Sequence, residues 1–243
     1  MIKRNYYKIV RIFPDPSSYF YIKNEAMNES QLDFDSSWFS TVNLEYSFDK
    51  VNWKSYNGVL YIPADGYVYF RNTSGTFCTS EHNTIMITRF DCSFGGDVRT
   101  LFNYTDVDSV TKIPDYGFSH PFSFQGDFKC IDISNLSFRG ITEIGNYGLY
   151  ETFGWNHIGT KGVDLRDVTT LGEGALNHLY YDNPNLKEVY APNVSTWDEN
   201  KTSVWLNNVA PTGVLYKPST LTIPINNNSG IPYGWTTQDY PTK

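Results

Sequence analysis

The sequence predicts a mainly β protein, with a small antiparallel sandwich or barrel first, then a short repeat solenoid, then a C-terminal cap. Three observations carry that expectation. Apolar residues alternate between residues 42 and 94, and turn-forming clusters interrupt them at intervals of about 8–12 residues, the rhythm of antiparallel strands. From residue 106 onward one short phrase recurs at a near-constant interval.

Residues 1–37 do not share the rhythm. Tyr6, Lys8, Val10 and Ile12 suit one edge strand before the stretch FPDPSS breaks it. Tyr6, Tyr7, Phe13, Tyr19, Phe20 and Tyr21 give this segment much apolar area, and an edge strand can add to a partner's sheet. It is expected to be an attachment arm. Residues 38–105 form the expected sandwich: Val42, Leu44, Tyr46 and Phe48, then Val68 and Phe70, keep the period of a half-buried strand, punctuated by YNG, PADG and NTSG.

Residues 106–221 hold the repeats. VTKIPDYGF from Val110, ITEIGNYGLYETF from Ile141 and VTTLGEGAL from Val168 place an aliphatic anchor at Ile113, Ile144 and Leu171, with Trp197 as a weaker fourth, at intervals of 31, 27 and 26. Four positions after the first three anchors come Gly117, Gly148 and Ala175, then Phe118, Leu149 and Leu176. A second series, CIDISNL, GVDLRDV, EVYAPNV and VLYKPST, begins its apolar runs at Ile131, Val163, Val189 and Leu215, with intervals of 32, 26 and 26. Both series share one long first unit, as expected of one insertion in one physical coil. A period near 26 points to a solenoid of the leucine-rich type, in which no coil buries its apolar face alone. Ile131 and Ile133, and Val163 and Leu165, are expected to point inward, with Leu136, Val168 and Val194 completing the ladder. The glycine or alanine of the other phrase would let its wall approach neighbouring coils closely. Lys201 and Lys217 depart from the pattern, as terminal repeats do. Residues 222–243, with two prolines, glycines and Trp235 within the tail from Leu221 to Tyr240, are expected to close the open end.

These phrases resemble the BspA-like class of leucine-rich repeats, whose units carry I-x-x-I-G-x-x-A-F followed by C-x-x-L-x-x-V. The resemblance covers residues 106–243, with glycine or leucine replacing the usual Ala-Phe at two coils. LEYSFDKVNW through GYVYFRN, and GVLYKPSTLTIPINNNSGIPYGW, are similar to segments found beside such repeats in surface proteins of gut bacteria and in structural proteins of their bacteriophages, crAss-like phages included. The resemblance implies display and binding rather than catalysis. The N-terminus MIKRNYYKIVRIF starts with basic residues, yet Lys8 and Arg11 break its apolar run before the roughly 7–15 residues of an export signal. The expectation is therefore a virion protein made in the host cytoplasm and released by lysis, a fibre, fibre-anchoring or decoration component of tail or capsid. It is expected to be a homo-oligomer bound to other virion proteins through its N-terminal region. The alternative is a bacterial adhesin-like module with a missing or non-standard export signal.

Chemistry-bearing residues are sparse. The chain of 243 residues has a net charge of −7 and no Lys/Arg cluster beyond its first dozen residues, so no nucleic-acid partner is expected, because duplex binding needs a basic stripe. No run approaches the roughly 20 apolar residues of a membrane span. Cys78, Cys92 and Cys130 lack C-x-x-C spacing and are read as buried thiols, with no metal site. His82, His120, His157 and His178 are scattered, CSFGGDVRT lacks the spacing of a phosphate loop, and neither an enzyme nor a cofactor is expected. The residues between the inward positions, Asp132, Asp164, Tyr190 and Tyr216, form an expected outward column, acidic then aromatic, suited to a host-surface glycan or protein.

Overall fold

The computed structural model describes residues 19–34, 43–56, 58–73, 75, 77–78, 86–124 and 127–241. Tyr6, Tyr7 and Phe13 of the expected arm lie outside them. The described chain is mainly β, in four sheets, none of them closed. Eight strands come first: β1 (Phe20–Asn24), β2 (Ser30–Phe34), β3 (Leu44–Ser47), β4 (Lys54–Ser55), β5 (Leu60–Ile62), β6 (Tyr67–Asn72), β7 (Met86–Thr88) and β8 (Cys92–Asp97). A single helical turn, α1 (Thr100–Asn103), then leads to β9 (Lys112–Ile113), β10 (Phe122–Phe124), β11 (Cys130–Ser137), β12 (Glu143–Ile144), β13 (Lys161–Asp164), β14 (Thr170–Leu171), β15 (Glu188–Tyr190), β16 (Val214–Lys217) and β17 (Thr236–Asp239).

The first large sheet has the order β11-β8-β1-β6-β3-β4, and a second has the order β10-β7-β2-β5. Strand alternation explains the first one's inner face: Phe20, Ile22, Leu44, Val68, Phe70, Cys92 and Phe94 are all buried. This corrects the expected boundary at residue 37. β1 is an interior strand, paired antiparallel with β6 on one side and β8 on the other, and Phe20 is fully buried. Tyr21 is buried too, at 5% exposure, and Tyr19 leans on Trp53 with ring centroids 4.8 Å apart. These three aromatics therefore build the sheet instead of standing free for a partner.

The two expected domains share one core. β8 pairs in parallel with β11, and Phe20 contacts Phe70, Phe94, Phe118 and Phe122, the last two belonging to the first repeat. Phe94 and Phe122 stack at 4.1 Å. Buried apolar residues run in one cluster from Phe20 to Trp235.

Beyond α1 the repeat arithmetic becomes geometry. The anchors Ile113, Ile144 and Leu171 stand opposite one another in the parallel sheet β9-β12-β14. Val189 and Leu215 stand opposite in β15 and β16, within the parallel sheet β13-β15-β16-β17. Val163, Leu165, Val168, Val189, Ala191 and Leu215 are buried as their spacing predicts. The first unit differs: Cys130, Ile133 and Leu136 point inward, whereas Ile131 is 36% exposed. β11 follows the register of β8, with two irregularities, and is not hydrogen-bonded to β13. Loss of that pairing is what shifts the side chains.

The segments after the anchors form a second wall made of turns. Tyr116, His120, Tyr147, Glu151, Trp155, His178 and Asp182 all have positive φ, four residues apart within each coil. Alternate N–H groups leave for the next coil: Tyr116 donates to the Asn146 carbonyl (2.9 Å), Phe118 to Gly148 (2.9 Å), Tyr147 to Glu173 (2.7 Å) and Leu149 to Ala175 (3.0 Å). Those between them close turns within their own coil, Gly117 donating to Pro114 and Tyr150 to Tyr147. These donors thus find acceptors without a strand or helix, which reduces the desolvation cost of irregular backbone. The close approach between coils falls on the glycine directly after the anchor. A Cβ at Gly172 would lie 2.5 Å from the Asn146 nitrogen of the preceding coil, whereas one at Gly148 would strike Ile144 of its own coil at 2.7 Å.

Tryptophans tie the last coils together. The indole N–H of Trp197 donates to the Ser229 carbonyl (2.7 Å), Trp205 to Gly230 (2.9 Å) and Trp235 to Ala210 (2.7 Å). Lys217 is satisfied by the Leu221 carbonyl at 2.6 Å. The tail adds β17, in register with β16.

Candidate functional site

The expected outward column exists from its second member onward. Asp164 stands opposite Tyr190, Tyr190 opposite Tyr216, and Tyr216 opposite Gln238. Asp132 is not part of that row, because β11 pairs it with Ser93 of β8. Its carboxylate accepts from the Ser134 N–H (2.8 Å) and hydroxyl (3.1 Å), which folds the turn beside the row.

Strand alternation puts Asp164 and Arg166 on one face, and there they pair bidentately: Arg166 Nε donates to Oδ1 at 2.9 Å and Nη2 to Oδ2 at 2.6 Å. The guanidinium lies 5.0 Å from the ring of Tyr190 and 5.9 Å from that of Tyr240. Lys161 approaches Tyr190 at 5.0 Å while paired with Glu188 at 3.1 Å. Tyr190 and Tyr216 stack with centroids 4.6 Å apart and planes 15° apart. The Tyr240 hydroxyl donates to the Ala191 carbonyl at 2.7 Å.

This packing redistributes the roles assigned from spacing. Tyr190 is only 7% exposed, so cation and ring neighbours have used its surface, and Tyr216, half-buried, is the ring left to offer a face. Burial, followed by the hydrogen bond to Glu188, raises the Tyr190 phenol above its ordinary range. Burial and Asp164 do the same to Tyr240. The hydrogen bonds that Arg166 donates to Asp164 raise its guanidinium above the ordinary arginine range.

Beside the pair opens a cleft of about 500 Å³, lined by Ser134, Asn135, Ser137, Arg139, Asp164, Arg166 and Asp167. Asp167 accepts from the Gly140 N–H at 3.0 Å, fixing the far rim. Arg139 is exposed and its guanidinium makes no ion pair with the described residues. Hydroxyls, one amide, two guanidiniums and two carboxylates face a space the size of a small-ligand pocket. Such an array donates and accepts hydrogen bonds. Sequence reasoning missed Arg139, Arg166, Ser134 and Ser137, although the D-L-R alternation already puts residues 164 and 166 on one face.

Elsewhere, Cys78, Cys92 and Cys130 are buried free thiols, and burial raises those of Cys78 and Cys92 well above the ordinary range. His157 lies 2.6 Å from the Lys129 amine. His82 is outside the described residues. Among the described residues no three His, Cys, Asp or Glu side chains gather as a metal site, and no helix is long and apolar enough to cross a membrane. No family model matches the chain, and neither a curated protein nor a solved structure is significantly similar to it.

Proposed function

We propose that the chain is a structural protein of a bacteriophage virion, a fibre, fibre-anchoring or decoration component of tail or capsid, presenting a repeat surface for protein or glycan contact. In this reading residues 106–221 are a leucine-rich-repeat solenoid of the BspA-like class, closed by residues 222–243, and the antiparallel sheets before them form a sandwich fused to its first coil. The observation that carries the reading is the row of Asp164, Tyr190 and Tyr216 on successive parallel strands, with Arg166 clamped over it beside an open cleft. A stack of coils whose outward row mixes charged and aromatic side chains suits recognition. The continuous core through Phe20, Phe94 and Phe118 makes the sandwich a rigid mount for the repeats. Docking to other virion proteins and self-association then fall to the N-terminal region outside β1.

The test is mass spectrometry of purified particles from the source culture. The proposal expects the chain to sediment with particles at a fixed ratio to the major capsid protein. Absence from particles, with the chain on bacterial surfaces, contradicts it and supports the adhesin-like alternative.

A further inference from the structure

We propose that the wall of turns carries a second binding site, for a neutral polysaccharide chain, centred on Trp155, His178 and Glu151. Inter-coil hydrogen bonds place His120, Glu151 and His178 at equivalent positions of three successive coils: the N–H of His120 reaches the Tyr150 carbonyl at 2.8 Å, and that of Glu151 reaches Asn177 at 3.0 Å. All three residues have positive φ, and the core beneath them is filled by Leu149, Phe153, Leu176 and Leu179. His120 Nδ1 lies 3.2 Å from Glu151 Oε2.

Aromatic rings surround the column. Trp155 and His178 lie in planes 11° apart with centroids at 6.2 Å, and Tyr181 is 5.0 Å from the first and 5.6 Å from the second. Tyr150 contacts His178 at 5.7 Å, Tyr147 contacts Tyr150 at 5.9 Å, and Tyr116 stacks on Tyr147 at 5.5 Å with planes 2° apart. Trp155 is 49% exposed, far more than a ring of its size in a core. The chain of contacts crosses three coils, which makes the patch elongated.

Several of its hydrogen-bonding groups are unpaired. The Trp155 indole N–H, the Tyr181 hydroxyl and both nitrogens of His178 have no hydrogen-bond partner among the described residues, and His178 Nδ1 is buried as well. Burial alone would raise the Glu151 carboxyl, but hydrogen bonds from His120 and Tyr150 and the two nearby imidazoles outweigh it and hold the group below its ordinary range. The patch thus combines a carboxylate held by its neighbours, with 13% of its side chain exposed, an imidazole, an indole N–H and ring faces.

A pyranose ring has an apolar C–H face and a rim of hydroxyls, so it satisfies both kinds of group at once. A protein anchor would want a well-packed apolar pocket. Here each exposed ring is bordered by a carboxylate, an imidazole or a phenol instead. Asp182, opposite Trp155 on the next coil, and the overall charge of −7 disfavour an acidic polymer. The patch is separate from the Tyr216 face and does not depend on the virion assignment.

The test uses the full chain on a microarray of neutral and acidic bacterial and plant polysaccharides, with titration of each positive. Trp155→Asn keeps a residue that tolerates positive φ and removes the ring. The proposal expects saturable binding to at least one neutral polysaccharide, weakened by about tenfold or more in Trp155→Asn and in Glu151→Gln. Tyr61→Ala, which removes an exposed ring of β5 outside both surfaces, should bind as the parent does, and Tyr181→Phe, which keeps the ring, should lose less than Trp155→Asn. Unaltered melting of Trp155→Asn shows that any loss is local. Absence of binding across the array, unchanged binding by Trp155→Asn, or binding confined to acidic polymers overturns the proposal. A change in the chain's self-association with Trp155→Asn, without polysaccharide binding, overturns it in favour of a protein interface.

Discussion

Tyr180→Phe removes one oxygen atom and is predicted to destabilise the chain measurably. Tyr180 belongs to the wall of turns, its N–H donating to the Trp205 carbonyl at 2.9 Å, and its ring stacks on Phe153 at 6.0 Å. The side chain is fully buried and crosses the core to the strand wall, where its hydroxyl accepts from the Val163 N–H at 2.9 Å. That N–H needs an acceptor because the register between β13 and β15 slips between Lys161 and Asp164. Phenylalanine fills the same volume but leaves the N–H buried without a partner, at a cost of about 1–3 kcal/mol. For a chain of this size each kcal/mol moves the melting temperature by about 2–4 °C, so a fall of roughly 2–12 °C is expected by calorimetry. Burial pushes the phenol well above the ordinary tyrosine range, so the group is neutral and the loss should be equal at pH 6 and pH 8. A loss below about 0.5 kcal/mol, the scale of neutral surface changes, would refute the strut.

Other consequences follow from the same geometry. Gly172→Ala should cost at least about 1 kcal/mol in urea melts, because its Cβ meets the Asn146 backbone of the preceding coil. Asn183→Ala should cost about 2 kcal/mol or more, since the buried amide donates to the Phe153 and Tyr180 carbonyls and accepts from the Ile158 N–H. Glu151 has a folded pKa below its unfolded value, so its stabilisation is complete above the ordinary Glu range and is lost as pH falls through the lower folded value. Glu151→Gln should therefore flatten part of the acid limb of a stability–pH profile. The three cysteines should resist a thiol reagent in the native state and all react in denaturant.

Much of the repeat half was legible because its signal is doubled. Two phrases drifting by the same long first interval fixed which residues stack, and Ile113, Ile144 and Leu171 stand where that arithmetic put them. The first coil was misread at Ile131, because β11 takes its register from β8, a neighbour that repeat counting does not see. Residues 20–24 were misread for a related reason: a lone strand such as FYIKN shows no local sign of the interior position that pairing with β6 and β8 gives it. Of the outward column, Asp164, Tyr190 and Tyr216 were readable from alternation alone. Their division into a covered ring and an open one was not, because Arg166 and Lys161 reach Tyr190 through side-chain packing. The aromatic turn wall was invisible for a deeper reason. Its outward residues follow a four-residue rhythm of positive φ, much of it at Tyr, Glu and Trp, residue types that do not signal that conformation in sequence.

The central proposal is outward display on a particle, and immunoelectron microscopy of intact virions tests it most directly. With antibodies raised against residues 106–243, the account predicts label on the surface or appendages of undisrupted particles, at positions repeated from one particle to the next. Absence of label from both intact and opened particles, or label appearing only after disruption, would contradict it.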